Sequence, residues 1–141
     1  MTRKKLQKVL RQIAYEENIT TWKWSNFEYY LHQNNDDLAV TRTQNGGKAR
    51  KLLSHEETIR ALKVYNVWKT RQYAQAILEV LFEQNSYFET DKDIFYINKH
   101  TLSGVTFYSV DKVGINSQEV TSMSDKDVVE NEEFKKVIGI Y

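Results

Sequence analysis

The chain of 141 residues contains no cysteine and no proline, and it has only five glycines. The absence of cysteine excludes disulfides, thiolate metal sites and a cysteine nucleophile, and it favours a reducing compartment, so we expect a cytoplasmic protein. The adjacent glycines Gly46 and Gly47 precede a short basic segment, not a helix, so no phosphate-binding loop is expected. No window approaches the roughly 18 apolar residues of a membrane-spanning helix.

Catalytic signatures are also missing. The three histidines are far apart in the sequence, and no Gly-x-Ser-x-Gly elbow is present. Of the paired carboxylates, Asp125 and Asp127 have a sufficient role in capping a helix, and Asp91 and Asp93 precede a strand. We therefore expect no enzyme, no metal and no cofactor, with a site assembled from distant residues as the remaining enzymatic alternative.

The apolar content is enough to build a folded core. Hydrophobic residues make up 40% of the chain and aromatic residues 13%, so most of its length should fold. A chain of this length forms one domain by default, and no linker-like segment divides it, so we predict a single domain over residues 1–141.

Hydrophobic periodicity and turn residues predict an α+β fold with no internal repeat. The expected order is N-terminal helices and a basic β-ribbon, a central helix or helix pair, an antiparallel hairpin or meander, and a C-terminal helix. The predicted helices cover residues 3–17, 26–33, 55–84 (as one helix or two) and a segment after Ser124. The predicted strands cover residues 38–43, 49–53, 94–97, 105–110 and 115–121.

Local capping and turn residues support several of these boundaries. Ser25 with Glu28, and Ser54 with Glu57, fit the capping box that begins a helix. Asn45 followed by Gly46 predicts a type I′ hairpin turn between the two ribbon strands, because both residues tolerate positive φ.

Charge is divided unevenly along the chain. Residues 1–75 contain 14 Lys and Arg against 7 Asp and Glu, whereas residues 76–141 contain 6 against 12. The formal charges of these parts are +7 and −6, which sum to the net +1. Such polarity can steer a charged partner, although the two parts could instead attract each other or solvate different faces.

The basic residues of the N-terminal half predict contact with nucleic acid or a nucleoprotein complex. Positive charge at the start of the first helix opposes the helix dipole, so an anionic partner would explain it, as would fraying of a charged terminus. The predicted nucleic-acid-binding residues are Arg3, Lys4, Lys5, Lys8, Arg11, Arg42, Lys48, Arg50 and Lys51.

A helix, a short helix and a basic two-stranded ribbon resemble the winged-helix arrangement of DNA-binding domains. The resemblance covers residues 3–53 and lacks one of the three expected helices, so it implies no particular site residues.

The leading interpretation is therefore a non-enzymatic binding protein of the kind encoded by phages and mobile elements. The alternative is an anti-CRISPR-like inhibitor or regulator of a host nuclease, which would bind its protein partner through the acidic C-terminal half or the aromatic segment. The predicted partner-binding residues are Trp22, Trp24, Glu130, Glu132 and Glu133.

Overall fold

The computed structural model describes residues 1–139 and divides into two compact units, the first ending at Trp68 and the second beginning at Lys69. We call these the N-terminal unit and the C-terminal unit. Each contains an antiparallel four-stranded sheet and helical segments, which confirms the α+β class. The division does not test the prediction of a single domain, which stays a prediction.

The N-terminal unit is a meander of strands between two helical segments. Helix α1 (Arg3–Arg11) continues as a π-helical turn (Gln12–Glu16), and the first part of α2 (His55–Gln84) closes the unit. Between them lie β1 (Thr21–Trp24), β2 (Phe27–Asn34), β3 (Asp37–Gln44) and β4 (Lys51–Leu52), in that order across the sheet. The core side chains are Leu6, Leu10, Ile13, Trp22, Tyr29, Leu31, Leu38, Val40, Leu53, Ala61, Leu62 and Tyr65.

The C-terminal unit has the same order of elements. The second part of α2 is followed by β5 (Tyr87–Glu89), β6 (Asp93–Leu102), β7 (Val105–Gly114) and β8 (Val120–Met123), again in sequential order across the sheet. Two short helices, α3 (Asp125–Glu130) and α4 (Glu132–Ile138), close the unit. Its core contains Ala74, Leu78, Leu81, Phe88, Phe95, Ile97, Val110, Val128, Phe134 and Val137.

Helix α2 is continuous across the boundary between the units, so the central segment is one helix and not a pair. The predicted C-terminal helix, by contrast, is interrupted at Asn131, where an extended backbone (ψ 125°) ends α3 and the side chain caps α4 by accepting from the Phe134 N–H. Ser124 begins α3 with the capping box that its spacing to Asp127 predicts.

The two units repeat the same arrangement of helix, strands and buried contacts. No internal repeat was predicted from the sequence, and the structure corrects this prediction. Gln7 on α1 and Gln75 on α2 are 68 positions apart, and each uses its side-chain amide as an extra strand partner. Gln7 Nε2 donates to Leu38 O and Gln7 Oε1 accepts from Leu38 N, both at 2.9 Å. In the same way, Gln75 Nε2 donates to Tyr108 O at 2.9 Å, and Gln75 Oε1 accepts from Tyr108 N at 2.7 Å.

Further pairs of equivalent contacts support the repeated plan. The buried cross-strand pair Leu31 and Val40 corresponds to Ile97 and Val110. The capping box of Ser54, which begins α2, corresponds to that of Ser124. The repeat therefore extends from the first helix of each unit to the start of its closing helix.

The predicted helix over residues 26–33 is wrong, since this segment is strand β2. Ser25 does not cap a helix but takes a φ of +55° in the turn between β1 and β2. Pairing with β1 on one side and β3 on the other buries Tyr29 and Leu31, and this tertiary gain exceeds the local helical preference. Because this predicted helix is a strand, residues 3–53 do not have the winged-helix arrangement.

The predicted type I′ turn is also wrong. Gly46 takes a φ of +78°, but Asn45 does not take the positive φ that this turn requires, and β3 and β4 are joined by residues 45–50. The type I′ pattern occurs instead between β6 and β7, where Ser103 and Gly104 have φ values of +51° and +78°. The strand predicted over residues 115–121 is β8, shifted toward the C-terminus.

We expect the Gln7→Leu variant to lose about 2 kcal/mol or more of unfolding free energy, because the buried Leu38 N–H and C=O would lose their partners. Gln75→Leu should cost about 1 kcal/mol, since its bonds are only part-buried. Urea unfolding measures both, with the exposed Gln72→Leu as control. Equal stability of Gln7→Leu and the control would contradict the role assigned to this amide.

Candidate functional site

The formal charge differs between the two units. The N-terminal unit contains 12 Lys and Arg against 7 Asp and Glu, a charge of +5, whereas the remainder of the chain contains 8 against 12, a charge of −4. The polarity expected from the sequence therefore follows the division into units.

The basic face of α1, which we define as Lys4, Lys5, Lys8 and Arg11, places four positive side chains on one helix of the N-terminal unit. All four side chains are exposed, because Leu6, Leu10 and the inward-facing Gln7 occupy the opposite side of the helix. They surround a shallow groove that is completed by Thr2, Val9 and Gln12. Among residues 1–139, no carboxylate forms an ion pair with any of the four.

Two other predicted nucleic-acid-binding residues already have acidic partners. Arg3 forms an ion pair with Asp37 at the start of β3. Lys51 Nζ lies 2.7 Å from Glu57 Oε2 in the first turn of α2. Both residues consequently contribute less free charge than their positions in the sequence imply.

The ribbon does not present its basic residues on one surface. Arg42 Cζ lies 4.4 Å from the ring centroid of Phe27, and Arg50 Cζ lies 4.7 Å from that of Tyr30. Phe27 and Tyr30 are three positions apart on β2, so their rings project from opposite faces of the sheet. Lys48 is exposed in the connection between β3 and β4.

One predicted partner-binding residue, Trp22, is a core residue. Its side chain is only 1% exposed, with its ring stacked on Tyr29 and in edge contact with Tyr65. The prediction that Trp22 contacts a partner is therefore wrong, because hydrophobic burial uses its whole surface. Trp24, two positions further on, is 40% exposed and remains accessible.

The predicted acidic surface near the C-terminus is largely neutralised within its own helices. Glu132 Oε1 lies 3.3 Å from Lys135 Nζ, and Glu133 Oε1 lies 2.7 Å from Lys136 Nζ. The bond from Lys136 lowers the pKa of Glu133. Glu130 is more loosely paired, at 4.0 Å from Lys126 Nζ.

The face of the N-terminal sheet that lies opposite the core residues Trp22, Tyr29 and Leu31 is mostly polar. Here Tyr30 donates to Glu28, and Lys23 Nζ lies 3.3 Å from the same carboxylate. These bonds, first from Tyr30 and then from Lys23, lower the pKa of Glu28. His32 Nε2 and Thr41 Oγ1 are buried on this face, and neither has a hydrogen-bond partner among residues 1–139.

The corresponding sheet face of the C-terminal unit was not identified from the sequence. It presents Tyr87, Tyr96 and Val120, which are 49%, 43% and 67% exposed, around the half-buried carboxylate of Asp111. In the sequence, the alternation of Tyr96, Asn98 and His100 indicates that these residues share one face of a strand. Which side chains of the neighbouring strands lie beside them follows only from the strand register.

Within residues 1–139, no group of three His, Asp or Glu side chains is close enough to hold a metal ion. Each histidine has a polar contact of its own: His55 Nε2 lies 2.8 Å from Met1 O, and His100 Nε2 lies 2.7 Å from Ser109 Oγ. The nearest polar contact of His32 is Gln33 O, at 3.2 Å from Nδ1. Among the helices described, even the 30-residue α2 lacks an apolar stretch able to span a bilayer.

The Lys51 and Glu57 pair predicts a pH dependence. The bond from Lys51, followed by the bond from the Ser54 N–H, lowers the pKa of Glu57 from its ordinary 4.5 to about 2. A depressed folded-state pKa contributes stability above the unfolded pKa, and this contribution is lost as the pH falls toward the folded value.

We therefore expect Glu57→Gln to be less stable than wild type at neutral pH, with a difference that shrinks between pH 4.5 and about 2. Urea unfolding across this pH range measures the effect, and Glu56→Gln, at the exposed neighbouring position, is the control. A difference from wild type that does not change with pH would contradict this assignment.

No protein-family model matches the chain, and no curated protein matches it with significance.

Proposed function

We propose that the N-terminal unit binds nucleic acid, alone or within a nucleoprotein complex, through the basic face of α1. The role is binding without catalysis. The observation that carries the proposal is the comparison of α1 with its counterpart in the C-terminal unit.

The counterpart helix makes the same inward contacts without the basic residues. Gln75 and Leu78 occupy the inward positions that Gln7 and Leu10 occupy on α1. The positions equivalent to Lys4, Lys5, Lys8 and Arg11 are Gln72, Tyr73, Ala76 and Glu79. Since the same architecture forms with neutral or acidic residues there, the positive charges of α1 are not a requirement of the fold.

Two of these charges, and one pair of them, disfavour the helix that carries them. Lys4 and Lys5 lie in its first turn, where positive charge opposes the helix dipole, and Lys4 and Lys8 are like charges at i and i+4. Each effect destabilises α1 by a few tenths of a kcal/mol. An anionic ligand that neutralises these charges would remove this destabilisation.

The spacing of the basic face suits a phosphate backbone. Lys4, Lys8 and Arg11 recur at i, i+4 and i+7 and cover about 10 Å along the helix axis. One DNA strand presents a phosphate about every 3.4 Å of duplex axis, so the face spans about three phosphates. Such contacts provide affinity without reading sequence, and we expect little base preference.

The test compares two variants with the same net charge. In the first, Lys4, Lys5, Lys8 and Arg11 are changed to Gln. In the control, the exposed residues Lys63, Lys92, Lys99 and Lys126 are changed to Gln, so that both variants have a formal charge of −3 instead of +1. Circular dichroism establishes that both are folded.

For wild type, binding to a fluorescein-labelled DNA duplex should weaken by about 40-fold between 50 and 200 mM salt, as expected for about three neutralised phosphates. The α1 variant should lose most of this affinity and its salt dependence for every duplex sequence. The control should retain both. Equal weakening of the two variants would show a general charge effect and contradict the proposed interface.

A further inference from the structure

One residue from each strand of the C-terminal unit lies in a row across its exposed sheet face. Tyr87 pairs with Tyr96, Tyr96 with Asp111, and Asp111 with Ser122. Directly opposed residues in antiparallel strands have Cβ atoms about 5 Å apart, so these four side chains are neighbours. We call them the Tyr96 row.

The carboxylate in this row is held in place but is not saturated. Asp111 Oδ2 accepts from Asn98 Nδ2 at 3.0 Å, and Asp111 Oδ1 accepts from Ser122 Oγ at 3.1 Å. Each carboxylate oxygen can accept a further hydrogen bond. The ring of Tyr96, directly opposite on β6, lies beside it, and the ring of Tyr87 on β5 lies beyond that of Tyr96, with the two ring centroids 6.2 Å apart. An ordered carboxylate next to exposed aromatic rings is a favourable environment for a planar cation.

The same face contains no positive side chain of its own. The strand register places Glu89 and Asp111 on it, together with tyrosine, valine and other uncharged residues and His100, but no Lys or Arg among the described strand residues. The unit as a whole has an excess of acidic residues. A complementary partner must therefore bring the positive charge.

The N-terminal unit provides an internal comparison. Its corresponding row is Thr21, Tyr30, Thr41 and Leu52. There, the Arg50 guanidinium of the same chain lies 4.7 Å from the Tyr30 ring centroid. In the C-terminal unit, the position of Arg50 is occupied by Val120, and the position of Thr41 by Asp111.

We propose that the Tyr96 row binds an arginine side chain presented by a basic protein partner. The guanidinium would stack on Tyr96, as Arg50 does on Tyr30, and would donate to the open lone pairs of Asp111. Exposed apolar residues beside the row, such as Val120, would contact the partner around this arginine. Arginine fits better than lysine because its planar fork matches both a carboxylate and an aromatic face.

The experiment uses the full-length protein labelled with ¹⁵N and the probe peptide acetyl-Val-Arg-Val-Arg-Val-amide. The reference peptide contains citrulline in place of arginine, which retains the shape and removes the charge. Amide chemical shifts are followed during titration at about 150 mM salt, where long-range attraction is screened. The citrulline comparison needs no protein variant, so the test does not depend on the folding of a mutant.

We expect saturable shifts centred on Tyr87, Tyr96, Asp111 and Ser122 with the arginine peptide, and about tenfold weaker binding of the citrulline peptide. Asp111→Asn should weaken arginine binding by a similar factor, and Tyr96→Leu should weaken it while retaining apolar area. Glu79→Gln removes one negative charge from an exposed position on α2 and should bind as wild type does.

Three results would overturn the proposal. The first is equal binding of the two peptides. The second is a shift pattern centred on the acidic residues of α4 instead of the Tyr96 row. The third is a concentration-dependent shift of the row without peptide, which would mean that a second copy of the chain covers this face. DNA binding through α1 uses a different probe and different residues, so either proposal can fail without the other.

Discussion

A single side-chain amide fixes the first helix of each unit against the third strand. Strand β4 pairs with β3 at Thr41 and Arg42, and the Leu53 N–H donates to Val40 O, so that within the described residues this pairing stops short of Leu38 and leaves its backbone to another group. Gln7 supplies both a donor and an acceptor at this point, and Gln75 does the same at Tyr108. Because the amide bonds in one geometry, it also sets which side of the helix faces the sheet. The core positions of Leu10 and Leu78, and the outward positions between them, depend on this constraint.

Once that constraint is met, the outer surfaces can differ. The first helix of the N-terminal unit presents lysine and arginine where its counterpart presents glutamine, tyrosine, alanine and glutamate. The exposed sheet faces also differ in charge. The C-terminal unit has Asp111 in place of Thr41 and Val120 in place of Arg50, so its face is the more negative of the two. One architecture therefore provides a positive helix surface in one unit and a negative, aromatic sheet surface in the other. The two proposed binding sites follow this division, one on each unit.

Local patterns in the sequence were sufficient for several elements. The spacing of Leu6, Leu10 and Ile13 predicted α1, and the capping boxes at Ser54 and Ser124 predicted two further helix starts. The spacing of Phe27, Tyr30 and Leu31 predicted a helix, and only the pairing with strands β1 and β3 shows that the segment is a strand. The repeat was hidden because, over α1 and its counterpart, it preserves Arg3, Gln7 and Leu10 but exchanges core residues such as Leu6 for Ala74. For the binding surfaces, sequence identified the basic residues of α1. Register was needed to show that Arg42 and Arg50 lie on opposite faces and that Asp111 lies beside Tyr96.

All three tryptophans of the chain, Trp22, Trp24 and Trp68, lie in the N-terminal unit, and Trp22 is at the centre of its core. The C-terminal unit contains tyrosine and phenylalanine as its only aromatic side chains apart from His100. Intrinsic tryptophan emission is therefore a natural reporter of one unit, whereas far-ultraviolet circular dichroism reports both. Comparing the two signals during denaturation distinguishes a molecule that melts as one cooperative body from one whose parts melt in succession, without the introduction of any label.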